Sequence, residues 1–435
     1  MLRLAITLIL ALIAAGALAS AASAATAQDA RAFVDTIGVN THLYYDSTAY
    51  QDFPMVKQRL RELGVRHIRD GFDPDRRQWF FDRVNSLAAA GIKSTLISCR
   101  LINPDGWAHF VEDAKNKVRD SLDALEGVNE PERQGRSDWV SDSRSCNYWT
   151  YQLTKGTHAH EFGAPLQVPI YGPSATGTAF KQLGNLYDPP HADGGNIHPY
   201  PGARPPSGPD YYPFTRRMAE IREWTFEGRQ VPMVATETGY HDATNCSRCS
   251  HYPISQRSEA IYLPKLFMEY ARGGVERTFT YELVDQWPNP ERDEPEKNFG
   301  LFESDWSYKP AAYALKNTID LLDSPSAGPR QALEYTLSET GDPDGTGPAG
   351  PVKDRLFQKA DGSWWLALWQ DSAVWNRDAR KDVTHSIAYV KIQLDRELTA
   401  TGYRPTLGTG TYGSVRASSF TAGVAEDLLL IKLAD

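Results

Sequence analysis

From about position 37 to 322 the chain alternates short β-branched runs with longer stretches whose apolar residues recur three and four positions apart. The runs at 37–42, 65–71, 93–99, 122–129, 166–172, 195–200, 232–238 and 277–284 read as strands. The stretches at 55–63, 79–90, 148–161, 216–224 and 258–272 read as amphipathic helices, and a last helix at 311–322 follows Lys309-Pro310. Eight such units predict a closed (β/α)8 TIM barrel, with a doubly wound open sheet carrying extra strands as the alternative.

Past the Ser-Pro-Ser-Ala-Gly-Pro linker at 324–329 the pattern changes. Runs at 332–338, 355–359, 363–369, 386–394, 413–418 and 426–433 alternate or run apolar between turn signals, the pattern of a C-terminal antiparallel β-sandwich. Trp364, Trp365, Trp369 and Trp375 fall here. Trp364 and Trp365 take opposite sides of one strand, so at least one is core, and packing against the barrel is favoured over sugar binding.

The first residues are a basic start, an apolar stretch at 4–18 and small residues at 22–24, the order of a secretory signal peptide. The expected organisation is a leader at 1–24, a catalytic barrel at 28–325 and a sandwich at 330–435. The apolar core is short for a membrane anchor, so the chain is expected outside the cytoplasm, extracellular or periplasmic, with no stable membrane insertion.

Composition narrows the partners. The net charge of −9 comes without a long like-charge run, and 11 tryptophans and 21 tyrosines accompany it, which argues against nucleic acid and for neutral or weakly charged ligands. Cys99, Cys146, Cys246 and Cys249 in an oxidising compartment point to disulfides, with three pairings open. Cys246 and Cys249, with His241 and His251 nearby, also have the ligand types of a zinc site, but the compartment favours a bridge.

In such a barrel reactive groups stand at the carboxyl ends of the strands. Glu130 ends the fourth strand, where Pro131 stops the ladder, and Asn129 beside it is a donor for a ligand hydroxyl. Glu237 ends the seventh, sharing a face with Val231, Met233 and Ala235. The pair are 237 − 130 = 107 positions apart, about three βα units, which sets their strands facing each other across the mouth. Taken singly, either glutamate reads as a helix cap or an arginine partner. Two together supply what glycosidic cleavage needs, one carboxyl to protonate the leaving oxygen and an ionised one to attack, about 5 to 5.5 Å apart.

Asn129-Glu130-Pro131 and Thr236-Glu237-Thr238-Gly239 resemble the strand-four and strand-seven motifs of clan A glycoside hydrolases. His198-Pro199-Tyr200 is similar to the His-x-Tyr of family five and family thirty-nine enzymes, and Arg69 to the arginine behind the nucleophile in family five. The closing segments at 298–302 and 309–314 also look like the end of these barrels. The resemblance implies Glu130 as acid/base and Glu237 as nucleophile. Tyr200 and Arg69 then hold the nucleophile, and His198 bonds substrate or Glu130.

Trp287 lies beyond the expected end of strand eight, so the usual platform tryptophan is replaced by Tyr281 or Glu282. Of the aromatics near the mouth, Tyr44, Tyr45, Trp107, Trp139, Tyr240, Trp287 and Trp306, those placed best to meet ligand are Tyr44, Trp107 and Trp287. The expected activity is hydrolysis of β-linked oligo- or polysaccharide by double displacement, with no cofactor and no metal. A transglycosylase and a non-catalytic carbohydrate or cell-wall binder are the alternatives.

Overall fold

Strands covered on both faces must be apolar almost throughout, and the eight β-branched runs meet that demand. In the computed structural model, which describes residues 23–99, 107–208, 213–249, 251–339 and 351–435, they form β1 (Ile37–Asn40), β2 (His67–Gly71), β3 (Lys93–Ile97), β4 (Leu122–Glu126), β5 (Ile170–Tyr171), β6 (Gly195–Ile197), β7 (Met233–Thr238) and β8 (Arg277–Thr280). All pairings are parallel, in the order β5-β4-β3-β2-β1-β8-β7-β6. A parallel bridge from Tyr171 to Gly194 joins the two ends, which makes the sheet a barrel.

The helices between the strands carry their own stop and start signals. Phe53–Leu63 opens with the Asp52 carboxylate accepting from Met55 N–H and closes on Gly64 in the left-handed region, at φ 77°. The helix expected at 148–161 instead spans Trp139–Thr154. Beyond it the Gln152 side-chain carbonyl accepts from both the N–H and the hydroxyl of Thr157, so the chain turns at Gly156. Among the described residues no helix is long and apolar enough to cross a membrane. The leader expected at 1–24 lies outside them except for Ser23 and Ala24, which pair with Tyr335 and Glu334 in the C-terminal sheet.

The C-terminal strands are β9 (Ala332–Glu339), β10 (Val352–Gln358), β11 (Trp364–Gln370), β12 (Ala388–Tyr403), β13 (Thr411–Val424) and β14 (Leu429–Ala434). They form one mostly antiparallel sheet ordered β9-β12-β14-β11-β10, with β13 on the other edge of β12. Its outer strands come from the start of the chain: Ser23–Thr26 pairs with β9, and Gln28–Asp29 with β10. The long β12 pairs with β9 through 390–394 and with β14 through 399–403, its register against β13 shifting between Gln393 and Leu398. The sheet bends there, and its limbs enclose a core that includes Leu333, Leu366, Ile392, Leu398 and Ile431. The sandwich is therefore one sheet folded on itself.

β11 serves two cores through its alternation. Trp364, Leu366 and Leu368 face the sheet's own interior, while Trp365, Ala367 and Trp369 join the apolar cluster that continues into the barrel. Trp369 Nε1 donates to Glu269 at 2.8 Å, on the barrel helix Gln256–Arg272, and Lys353 Nζ meets the same carboxylate at 2.6 Å. The tryptophans of this domain are packing residues.

Candidate active site

Residues at the strand ends converge on one guanidinium. Arg69, on β2, grips Glu126 of β4 with two parallel bonds of 2.8 Å, from Nε to Oε2 and from Nη2 to Oε1. The same group reaches Glu237 Oε1 at 2.5 Å through Nη1 and Asn129 Oδ1 at 2.6 Å through Nη2. Below, Glu126 Oε1 also accepts from Asn196 Nδ2 at 2.9 Å and from the Thr236 hydroxyl at 3.0 Å. Both Arg69 and Glu126 are buried, so each requires the other: a planar fork matched to a carboxylate is the geometry that tolerates removal from water.

Glu237 sits near the end of β7 with only 9% of its surface exposed. Arg69 holds one oxygen, and the Tyr200 hydroxyl donates to the other at 2.9 Å. Burial pushes this carboxyl up, but the charges of His198 and Arg69 and the bonds from Tyr200 and Arg69 outweigh it and hold it down at about 2. It is ionised at any ordinary pH. The Tyr200 phenol, buried against that negative charge, is pushed well above its ordinary value and stays a donor. Gly239, two residues on, has φ 143° and lies so close to strand eight that a Cβ there would come within 2.9 Å of the Tyr281 carbonyl.

Glu130 is built differently. Its backbone is left-handed at φ 38°, an unfavourable conformation for a side chain, which swings the carboxyl over the mouth. His198 Nδ1 lies 3.1 Å from Glu130 Oε1 and 3.5 Å from Glu237 Oε2, so one imidazole nitrogen faces both carboxylates. That nitrogen is placed to donate to either, while Nε2 contacts the Thr236 hydroxyl at 3.0 Å. Glu130 Oε2, on the other side, lies 3.4 Å from Arg133 Nε. Ligand atoms of Glu130, His198 and Glu237 lie within 4.8 Å of one another. The three offer a cation a cluster of donors, but cationic or hydroxyl groups already face all four carboxylate oxygens.

The two glutamates open onto a cleft of about 550 Å³. Tyr44, Tyr45, Arg69, Asn129, Tyr200 and Tyr281 line it, as do His42, Asp70, Arg133 and Glu296, which the sequence does not single out, and His251, which it offers only as a zinc ligand. His42 is held at about 4 by burial and is neutral near neutrality. His251 stacks on Tyr200 with ring centres 4.7 Å apart. Glu282 is not at the cleft: it is wholly buried, accepting from Tyr50 and Gln286. Tyr281 takes the position facing the ligand space, its hydroxyl 3.4 Å from Glu296.

Trp287 lies outside the cleft, 39% exposed, its Nε1 donating to the Ser47 carbonyl. Trp139, Tyr240 and Trp306 are packing residues. The Trp107 side chain is outside the described residues. The cysteines pair as Cys99–Cys146 and Cys246–Cys249. His241 is spent on the backbone, contacting the His251 carbonyl at 2.9 Å through Nε2.

His42 and Asp70 stand at or just beyond the ends of β1 and β2, so the strand-end rule that selects Glu130 applies to them as well. Glu126 carries a different signal, a charge inside an apolar strand that has to find a buried cation. His251 and Glu296 sit in long loops and leave no periodic trace.

No protein-family model matches the sequence, and no curated protein is significantly similar to it. Solved structures do match across the whole chain. A GH39 enzyme from Xanthomonas axonopodis pv. citri shares 15% identity over 94% of this chain and 95% of its own, with a TM-score of 0.56. A monomeric β-xylosidase from Caulobacter crescentus shares 13%, over 94% and 97%, also at 0.56. A family 51 α-L-arabinofuranosidase from Bifidobacterium longum shares 11%, over 95% and 97%, at 0.55. At these identities the likeness is one of fold, barrel and C-terminal sheet together.

Proposed function

We propose that this chain is a secreted, configuration-retaining glycoside hydrolase that cleaves β-linked oligo- or polysaccharide, with Glu237 as nucleophile and Glu130 as acid/base. The observation that carries the reading is the asymmetric carboxylate pair. One oxygen of each lies within 4.8 Å of the other, which favours direct attack over the inverting route, whose carboxyl groups stand roughly 6.5 to 9.5 Å apart to admit a water. Glu237 is locked as an anion by Arg69 and Tyr200; Glu130 stands at the mouth on a backbone that presents it outwards.

In the first half-reaction Glu130 gives its proton to the glycosidic oxygen as the Glu237 carboxylate attacks the anomeric carbon. The bond to the leaving group breaks and a glycosyl ester forms. In the second, Glu130 takes a proton from water, which displaces Glu237. His198 faces both carboxylates and keeps them in register through the cycle. The glycosidase names of the structural neighbours support the reaction class, and the leader sequence supports export.

Azide rescue tests the pair and its roles. Glu130→Ala should still form the glycosyl-enzyme from substrates with activated leaving groups, and azide should restore turnover to a glycosyl azide of retained configuration. Glu237→Ala should give the inverted azide. Exchanged stereochemistry reverses the roles, and wild-type rates in both variants discard the pair. Product analysis at high acceptor concentration separates hydrolysis from glycosyl transfer.

A further inference from the structure

Arg133 is not accounted for by the chemistry of the pair. It closes the short turn Pro131–Arg133 behind Glu130 and lines the cleft, with 55% of its side chain exposed. Its ties are weak. Nε lies 3.4 Å from Glu130 Oε2 and 4.0 Å from Glu132 Oε1, and that Glu132 oxygen is already taken by the N–H and hydroxyl of Thr176 at 2.9 and 2.6 Å. Nη1 and Nη2 have no hydrogen-bond partner among the described residues. The other arginine of the cleft, Arg69, is the opposite case: it is buried and spent on two carboxylates and two amides.

Direction follows from which oxygen each partner touches. His198 reaches Glu130 Oε1 from the side of Glu237, where the sugar under attack must sit. Arg133 reaches Oε2, the oxygen that His198 does not touch; in direct attack the leaving group departs away from the nucleophile and past the acid/base, so this is the flank it would pass. A guanidinium whose fork is free among the described residues, beside the departing unit, is a recognition element for a planar anion.

We propose that Arg133 binds a carboxylate on the leaving-group unit, so that the preferred substrate is an acidic oligo- or polysaccharide cut on the reducing-end neighbour's side of a neutral sugar. This rests on the assignment of Glu130 and Glu237 above. A substrate carboxylate would displace Glu130 from Arg133 and leave the acid/base facing only His198 and the glycosidic oxygen.

The test uses aryl glycosides of the sugar that a screen of 4-nitrophenyl glycosides shows to be turned over. One leaving group is 4-nitrophenol and the other 5-hydroxy-2-nitrobenzoate, which keeps the nitro group para to the phenol oxygen and adds a carboxylate to the ring. The selectivity ratio, kcat/KM for the acidic over the neutral glycoside, is compared in wild type, Arg133→Ala and Arg133→Lys; intrinsic leaving-group differences cancel in that comparison. The ratio should fall about tenfold or more in Arg133→Ala, the scale of a lost charge-assisted hydrogen bond. It should fall less in Arg133→Lys, which keeps the charge without the fork, and the wild-type ratio should drop with added salt. A ratio equal within about twofold in wild type and Arg133→Ala overturns the proposal while leaving the catalytic pair intact. Absence of turnover of every glycoside by the wild type removes the pair beneath it.

Discussion

Glu237 combines burial with full ionisation, and Tyr200 is the neutral part of what makes that possible. Removing its hydroxyl should raise the Glu237 carboxyl from about 2 towards the ordinary value of 4.5, because a bond to the charged form is lost while the desolvation remains. In the proposed mechanism the active form carries Glu237 as the carboxylate, so the acid limb of kcat/KM in Tyr200→Phe should move to higher pH. At pH 7 both forms are ionised, and a loss of roughly tenfold to a hundredfold there would report misplacement of the nucleophile. An unchanged acid limb would show that Arg69 and His198 alone hold the charge. Stability carries the same sign: a depressed carboxyl stabilises the fold above 4.5 and loses that contribution as pH falls towards 2, and the variant should lose it over a narrower span. At this scale the sequence was readable where a polar group ended an apolar strand, as at Glu130 and Glu237. It was not readable where a side chain's meaning lies in a partner far along the chain. Glu126 needs Arg69, 57 positions away, before its burial makes sense.

Elements were recovered better than single contacts, since burial of a strand inside a barrel imprints itself on every position of the run. All eight expected barrel strands are present and each is shorter than its apolar run; six lose their last residues to the mouth, while His67–Gly71 and Met233–Thr238 start later than the run does. The helix Trp139–Thr154 ends before the expected 161 because its termination depends on a side chain, Gln152, rather than on periodicity. That helix is tied to the end of β3 by Cys99–Cys146, with a sequence separation of 47, whereas Cys246–Cys249 has a separation of 3. Loop-closure entropy predicts about 4 kcal/mol for the first bridge and about 2 for the second. Denaturant unfolding of Cys99→Ser/Cys146→Ser should therefore show the larger loss of stability, with Cys246→Ser/Cys249→Ser nearer the wild type. The reverse order would mean that the short loop carries more of the fold than its length implies.

In the whole molecule the barrel and the C-terminal sheet share an apolar boundary at β11, and no change of pattern in the sequence announces which face of that strand looks inward and which looks at the barrel. The wild type should unfold in one calorimetric transition, and Trp369→Ala should lower its midpoint by the equivalent of about 3 to 5 kcal/mol, the cost of emptying a buried indole site. Two well-separated transitions in the wild type would show the domains to be energetically independent.

The pairing of Ser23–Thr26 with β9 and of Gln28–Asp29 with β10 also governs the order in which the molecule is completed. Ser23 is opposite Tyr335, so residues that leave the ribosome early find their partners only after more than three hundred others have been made. Throughout that interval the nascent chain has a barrel's worth of sequence able to collapse locally but a first strand with nowhere to go, and an unpaired strand is a template for neighbouring chains. Contacts of such long separation are also the slowest to form. Protection of that strand edge thus arrives late, when the last sheet closes over the first strand.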